Sequence, residues 1–227
     1  LGIFSSGMPD LNYRNPLVTA EAERIAEFWL REMKVDGFRL DAIRHLIEDG
    51  DVMTDTPETR AWLKGFQARL RQIEPDVLTV GEVWASTEAV SEYIVEDALD
   101  LAFEFDLATA ILDAARTGTK AKLAYTLDNV AASYPANRYA TMITNHDQNR
   151  AMSAFDGDVD KAKSAAFLLF TLPGTPYIYY GEEIGMTGQK PGERIRAPMQ
   201  WTAGASDGLS EAALGQPLNP GYESVNV

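Results

Sequence analysis

Arg39 and Asp41 stand two residues apart in the run Gly37-Phe38-Arg39-Leu40-Asp41. A strand alternates its faces, so this spacing predicts that both charges leave one side of a buried strand over residues 35–42. Each charge alone would be costly to desolvate, but a guanidinium beside a carboxylate favours the ionised form. Asp41 is therefore expected to be a permanently charged carboxylate, able to attack an electrophilic carbon or to stabilise positive charge. Glu82 has a different setting, between Val80-Gly81 and Val83-Trp84. Apolar and aromatic surroundings would push its carboxyl up and keep it protonated near neutrality, as a general acid requires. One carboxyl held down and one pushed up, about 5 Å apart, is the division of labour of retaining glycosidases, which pass through a covalent glycosyl intermediate.

A third polar site, His146-Asp147, ends another apolar run. Taken singly, each acid has an ordinary explanation as a helix cap or an ion-pair partner. Three such sites at successive strand ends argue for a shared task. Trp84, Tyr179 and Tyr180 are expected in the core more than under a sugar, and Arg194 and Arg196 as solvated charges in a late loop. The order His45, His146-Asp147 and a later aspartate imitates helical metal-dependent phosphohydrolases, but these residues end strands and the chain has only two histidines. A serine or cysteine triad has no support, because there is no Gly-x-Ser-x-Gly elbow and no cysteine.

The elements that position these residues alternate. Asn15-Pro16 opens a helix over 16–34 that leads into the strand 35–42. Thr56-Pro57 opens a second helix, closed by Pro75, before a strand over 77–84. A short helical stretch at 87–94 precedes a strand over 101–105, then helical material from 107 to 133 and a strand over 139–145. A helix over 159–172 and a strand at 177–180 follow, and from 185 to 227 the composition predicts a long loop. Five strands alternating with helices imply a parallel sheet, either doubly wound or closed into a (β/α)8 TIM barrel. Asp41, Glu82 and His146-Asp147 fall at the ends of different strands, which favours the barrel, and neither a dinucleotide fingerprint nor a P-loop is present.

The 34 acidic against 20 basic side chains give a net charge of −14, which repels phosphate backbones and anionic lipid surfaces. Nucleic acid and membrane are thus excluded as expected partners, and no apolar run reaches the roughly 18 residues a spanning helix needs. The lack of cysteine fits an exported protein as well as a cytosolic one, so compartment stays open, with secretion or the periplasm marginally preferred.

Gly37–His45, Gly81-Glu82-Val83-Trp84 and Ile143-Thr144-Asn145-His146-Asp147 resemble, in order, the second, third and fourth conserved motifs of the alpha-amylase family of retaining glycoside hydrolases. Met8-Pro9-Asp10-Leu11-Asn12 resembles the motif that closes the domain inserted after barrel strand three, in the form found between the oligo-1,6-glucosidase and neopullulanase branches. The resemblance implies short alpha-glucans or maltooligosaccharides as substrates. It also implies Asp41 as nucleophile, Glu82 as acid/base and Asp147 as the third carboxylate. Arg39 would orient Asp41, His146 would bind the reacting glucose, and Arg44 and His45 would line the leaving-group side. Arg150 resembles an arginine near the terminal glucose, and Arg196–Trp201 resembles a loop that borders the pocket in glucosidases. No cofactor is implied for the chemistry. A structural calcium is implied only through the main-chain carbonyl of His45.

The family's first motif has no counterpart here. Residues 1–15 are expected to end the inserted domain and 16–227 to form the carboxyl-terminal part of the barrel. Five strands leave a barrel open, so its remainder is expected from the same chain or a second one. The expected reaction is retaining hydrolysis of alpha-glucosidic bonds. The alternatives are a transglycosylase or isomerase of the same family, and a truncated fragment that binds glucan or a partner without turnover.

Overall fold

A computed structural model describes residues 2–204 and 218–227. Leu1 of the opening loop and residues 205–217 of the expected 185–227 loop lie outside the described residues. The chain forms two compact units, Leu1–Phe103 with Val130–Ala140, and Glu104–Asn129 with Thr141–Val227.

In the first unit, helix α1 (Pro16–Arg31) is capped by Asn15, whose side chain accepts from the Leu17 N–H, with proline at the first turn. It ends three residues earlier than its apolar periodicity suggested. Strand β1 (Gly37–Leu40) follows, then a 3₁₀ turn Ile43–His45, helix α2 (Pro57–Ile73), strand β2 (Leu78–Gly81), helix α3 (Thr87–Val95) and strand β3 (Leu101–Ala102). The sheet order is β1-β2-β3, with both pairings parallel, and Phe103 makes a parallel bridge to Ala140. Parallel neighbours separated by helices are the βαβ arrangement that the alternation predicted.

Ala26, Leu30, Phe66, Leu70 and Val77 form the core between α1, α2 and the sheet, with Phe38, Leu40 and Trp62 packed against it. Gly81 is required at the end of β2, because a Cβ there would meet Leu99 Cδ1 at 2.4 Å and Ile43 Cδ1 at 2.8 Å. The other end of β2 is fixed by Asp100, which accepts from the Thr79 N–H at 2.8 Å, Gln67 Nε2 at 2.8 Å and Arg71 Nη2 at 2.6 Å. Burial pushes the Asp100 carboxyl up, but hydrogen bonds from Thr79, Arg71 and Gln67 outweigh it and hold the carboxyl below its usual range.

The second unit begins with helix α4 (Phe105–Thr117), closed by Gly118 at φ 71°. That left-handed cap breaks the helical material expected over 107–133, and helix α5 (Ala121–Ser133) starts afresh and runs on into the first unit. Strand β4 (Ala140–Thr141) leads to helix α6 (Ala151–Ala154) and helix α7 (Val159–Thr171), which packs on α4. Strand β5 is Thr175–Pro176, not the expected 177–180. Pairing with β4 ends with the Tyr177 N–H on the Thr141 carbonyl at 2.7 Å, and Tyr179 and Tyr180 turn away to bond the late loop through their hydroxyls. Helix α8 (Gly192–Ile195) is the short helical piece of that loop. Among the described residues no helix is long and apolar enough to cross a membrane.

Candidate active site

Each unit carries one group of the residues singled out by sequence. In the first, the Glu82 N–H donates to the Leu40 carbonyl at 2.9 Å and the Ile43 N–H donates to the Glu82 carbonyl at 3.3 Å. These bonds hold the segments after β1 and β2 side by side. Ala42, directly after Asp41, adopts the left-handed conformation at φ 44°, a costly one for alanine, which turns the chain from strand into the 3₁₀ turn. Backbone strain of this kind concentrates at functional sites.

Arg39 is the hub. Its Nη1 pairs with Asp41 and its Nη2 with Glu82, so one guanidinium joins the two carboxylates. The expectation assigned Arg39 to Asp41 alone and gave Glu82 apolar surroundings. Glu82 is 7% exposed, yet its carboxyl meets a cation. Nor is β1 buried as expected: it lies at the sheet edge, and the Asp41 side chain is 74% exposed. An open groove of about 450 Å³ borders it, lined by Leu11, Leu17, Ile25, Phe38 and Leu40 among others.

Arg44 is tied down by its neighbours. Its guanidinium pairs with Asp55 and donates to the Trp84 carbonyl at 2.5 Å, and Tyr93 holds the other Asp55 oxygen at 2.8 Å. Arg44 therefore ties the turn after β1 to the segment after β2, a positioning role. His45 packs edge-to-face on Phe4 with ring centroids 5.2 Å apart, and its Nδ1 is enclosed without a hydrogen-bond partner. Among the described residues no group of three or more His, Asp or Glu could hold a metal. The His45 carbonyl would be a single ligand against the six to eight oxygens calcium takes, so these residues alone do not fit a calcium site.

In the second unit, the Asp147 N–H donates to Asn145 Oδ1 at 2.9 Å, an Asx turn that presents His146 and Asp147. His146 Nε2 lies 3.4 Å from Asp147 Oδ2. Arg196, expected to be a solvated charge, donates to Asp147 Oδ1 at 2.5 Å and to the His146 carbonyl at 2.9 Å. Its placement is built: Tyr179 OH donates to the Ile195 carbonyl at 2.9 Å and Tyr180 OH to the Ala197 carbonyl at 2.6 Å, one on each side of it. Arg150 packs against the same two rings, with its guanidinium carbon 4.6 Å from each centroid. Arg150 is 0% exposed and donates to the Tyr180 carbonyl at 2.6 Å, so it supports the tyrosine segment, while its Nε and Nη2 are enclosed without a partner.

Arg196→Leu is expected to change stability by less than about 1 kcal/mol, because the pair is exposed. In the complete protein, on the role proposed for Asp147 below, it should nonetheless lower kcat/KM by about 10-fold by freeing that carboxylate. Steady-state kinetics beside a thermal melt check this, and unchanged kinetics would return Arg196 to the solvated charges.

Sequence reasoning also passed over Glu182. It follows Gly181, whose φ of 81° and close approach to Met186 Sδ, 2.3 Å from where a Cβ would lie, require glycine at that turn. Thr144 hydrogen-bonds its Oε1, while Oε2 is enclosed without a partner. Burial pushes the carboxyl up to about 7 from an ordinary 4.5, against the opposing pull of Thr144, Tyr179 and Arg150. A carboxyl raised in the folded state contributes stability fully below about pH 4.5 and loses it as pH rises through 7. Relative to Glu182→Gln, the wild type should therefore lose about 3 kcal/mol between those limits. Urea melts of both proteins from pH 4 to 8 check it, and parallel curves would contradict it.

The alpha-amylase catalytic-domain model matches residues 1–227. Alpha-amylase 3 of Dictyoglomus thermophilum is 40% identical over 88% of this chain and 39% of its own length. A trehalose synthase/amylase of Mycolicibacterium smegmatis is 29% identical over 99% of this chain and 46% of its own. The crystal structure of an alpha-amylase from H. orenii superposes with a TM-score of 0.84 at 35% identity, covering 100% of this chain and 46% of that one. This chain spans less than half the length of each of the three. Parallel strands separated by helices, polar residues gathered at strand ends and a family match from end to end agree: the chain belongs to the alpha-amylase catalytic-domain family, whose fold is a (β/α)8 barrel, and its described residues form part of that barrel.

Proposed function

We propose that this chain forms part of a retaining alpha-glucosidic hydrolase acting on maltooligosaccharides, with Asp41 as nucleophile and Glu82 as acid/base. The observation that carries the reading is the parallel pairing of β1 and β2, which brings Asp41 and Glu82 to one Arg39 guanidinium. A single positive charge balances one carboxylate, which suits a pair working as ionised Asp41 and protonated Glu82. Asp41 attacks the anomeric carbon while the glycosidic bond breaks and Glu82 gives its proton to the departing oxygen. Water then gives a proton back to Glu82 and attacks the same carbon, which releases Asp41 and yields a product of retained configuration. Asp147, held by Arg196, grips sugar hydroxyls and favours the positively charged transition state. His146 binds the same glucose, and His45 lies on the leaving-group side.

The unpaired edge of β1 and the apolar groove beside α1 support a further part of the reading: they receive the remaining barrel strands, from the same chain or a second one. The test is maltotriose followed by proton NMR with the complete protein. Newly formed alpha-anomer supports retention, whereas beta-anomer as first product overturns it. Transfer to a second sugar needs the same carboxylates and differs in the exclusion of water, and a relative named trehalose synthase/amylase supports keeping that reading. Its mark is a disaccharide product that outgrows free glucose when acceptor is added.

A further inference from the structure

We infer that Glu182 is a positioning residue for Asp147, acting through Thr144 on the turn that presents the carboxylate. The inference rests on the proposed role of Asp147 and deepens it. Thr144 is 2% exposed and sits next to Asn145, whose side chain makes the Asx turn, so the Thr144 side chain sets where that turn begins. Its hydroxyl donates to Glu182 Oε1. The Glu182 N–H in turn donates to the Tyr179 carbonyl at 3.0 Å, which places the carboxyl on the tyrosine segment described above.

The two segments are already joined without this bond. Arg150 Nη1 reaches the Tyr180 carbonyl at 2.6 Å, the Arg150 N–H donates to the Gly188 carbonyl at 2.9 Å, and the Gly188 N–H donates to Ser153 Oγ at 2.8 Å. With three other links in place, a buried carboxyl on Thr144 is surplus to holding the segments together. What it adds is direction at the residue before Asn145, and a displacement of that turn moves Asp147 with it. Burial favours the neutral carboxyl below about pH 7, so glutamine reproduces both its shape and its acceptor oxygen.

The experiment measures kcat and KM for maltotriose at pH 6 with the complete protein. The variants are Glu182→Gln, Glu182→Leu, Thr144→Val and the Leu/Val double variant, each with a thermal melt. Glu182→Leu and Thr144→Val are expected to lower kcat about 10-fold or more, with KM within about twofold. The double variant should be no slower than either single one, and Glu182→Gln should stay within about threefold of wild type. Losses that multiply in the double variant, a glutamine variant as slow as the leucine one, or an unchanged kcat in Thr144→Val would each overturn the proposal. If Glu182→Leu does not fold, the near-isosteric Thr144→Val and Glu182→Gln still decide it. Asp147→Asn in the same assay separates the two levels of argument: a near-normal rate removes the role of Asp147, and the inference with it, whatever Glu182 does.

Discussion

Asp41→Asn is expected to lower turnover by a factor on the order of 10⁴ or more while leaving the fold intact. The amide has the size of the carboxylate but neither its charge nor its nucleophilicity, so no glycosyl–enzyme bond forms. The stability cost should be small, because the Asp41 side chain is 74% exposed and exposed ion pairs contribute about 0–1 kcal/mol. Arg39 keeps Glu82 as a partner in the variant. Kinetics on maltotriose with circular dichroism of the same preparation check both halves. A near-normal rate would remove Asp41 from the nucleophile role.

The second large effect is selective. Glu82→Gln removes the proton donor, and general acid catalysis contributes about 10²- to 10⁴-fold where the leaving group needs protonation. Natural glucosides should lose that much in the first chemical step. An alpha-glucosyl fluoride, whose leaving group departs with little help from an acid, should lose less than about 10-fold in the same step. Glu82 is nearly enclosed and paired with Arg39, so the variant needs a thermal melt beside its kinetics. Equal losses on both substrates would contradict the acid role.

Local chemistry made much of the fold legible. Asn15-Pro16 and Thr56-Pro57 mark helix starts that α1 and α2 use, because the cap side chain and the proline act on neighbouring backbone. The fifth strand was misplaced because Tyr177–Tyr180 has strong strand propensity, whereas tertiary bonds recruit the tyrosine hydroxyls to the 195–197 segment. In the site, the pairing of Arg39 with Asp41 followed from the period of a strand. Its second bond, to Glu82, depends on the register that sets Arg39 beside Val80, which spacing within one strand cannot reveal. Sequence reasoning makes Arg196 a solvated charge and passes over Glu182 for the same reason: each meets its partner, Asp147 or Thr144, across a long sequence separation. The packing of Arg150 against both tyrosine rings was equally invisible, since they lie about thirty residues away in sequence.

The most direct test of the account is to trap the intermediate on the complete protein with a fluorinated alpha-glucosyl fluoride, which glycosylates quickly and hydrolyses slowly. Peptide mass spectrometry of the digested protein then locates the added sugar. The account predicts one glycosyl group, carried by Asp41 and absent from Asp41→Asn. A sugar on any other carboxylate, or sustained turnover with none on Asp41, would contradict it.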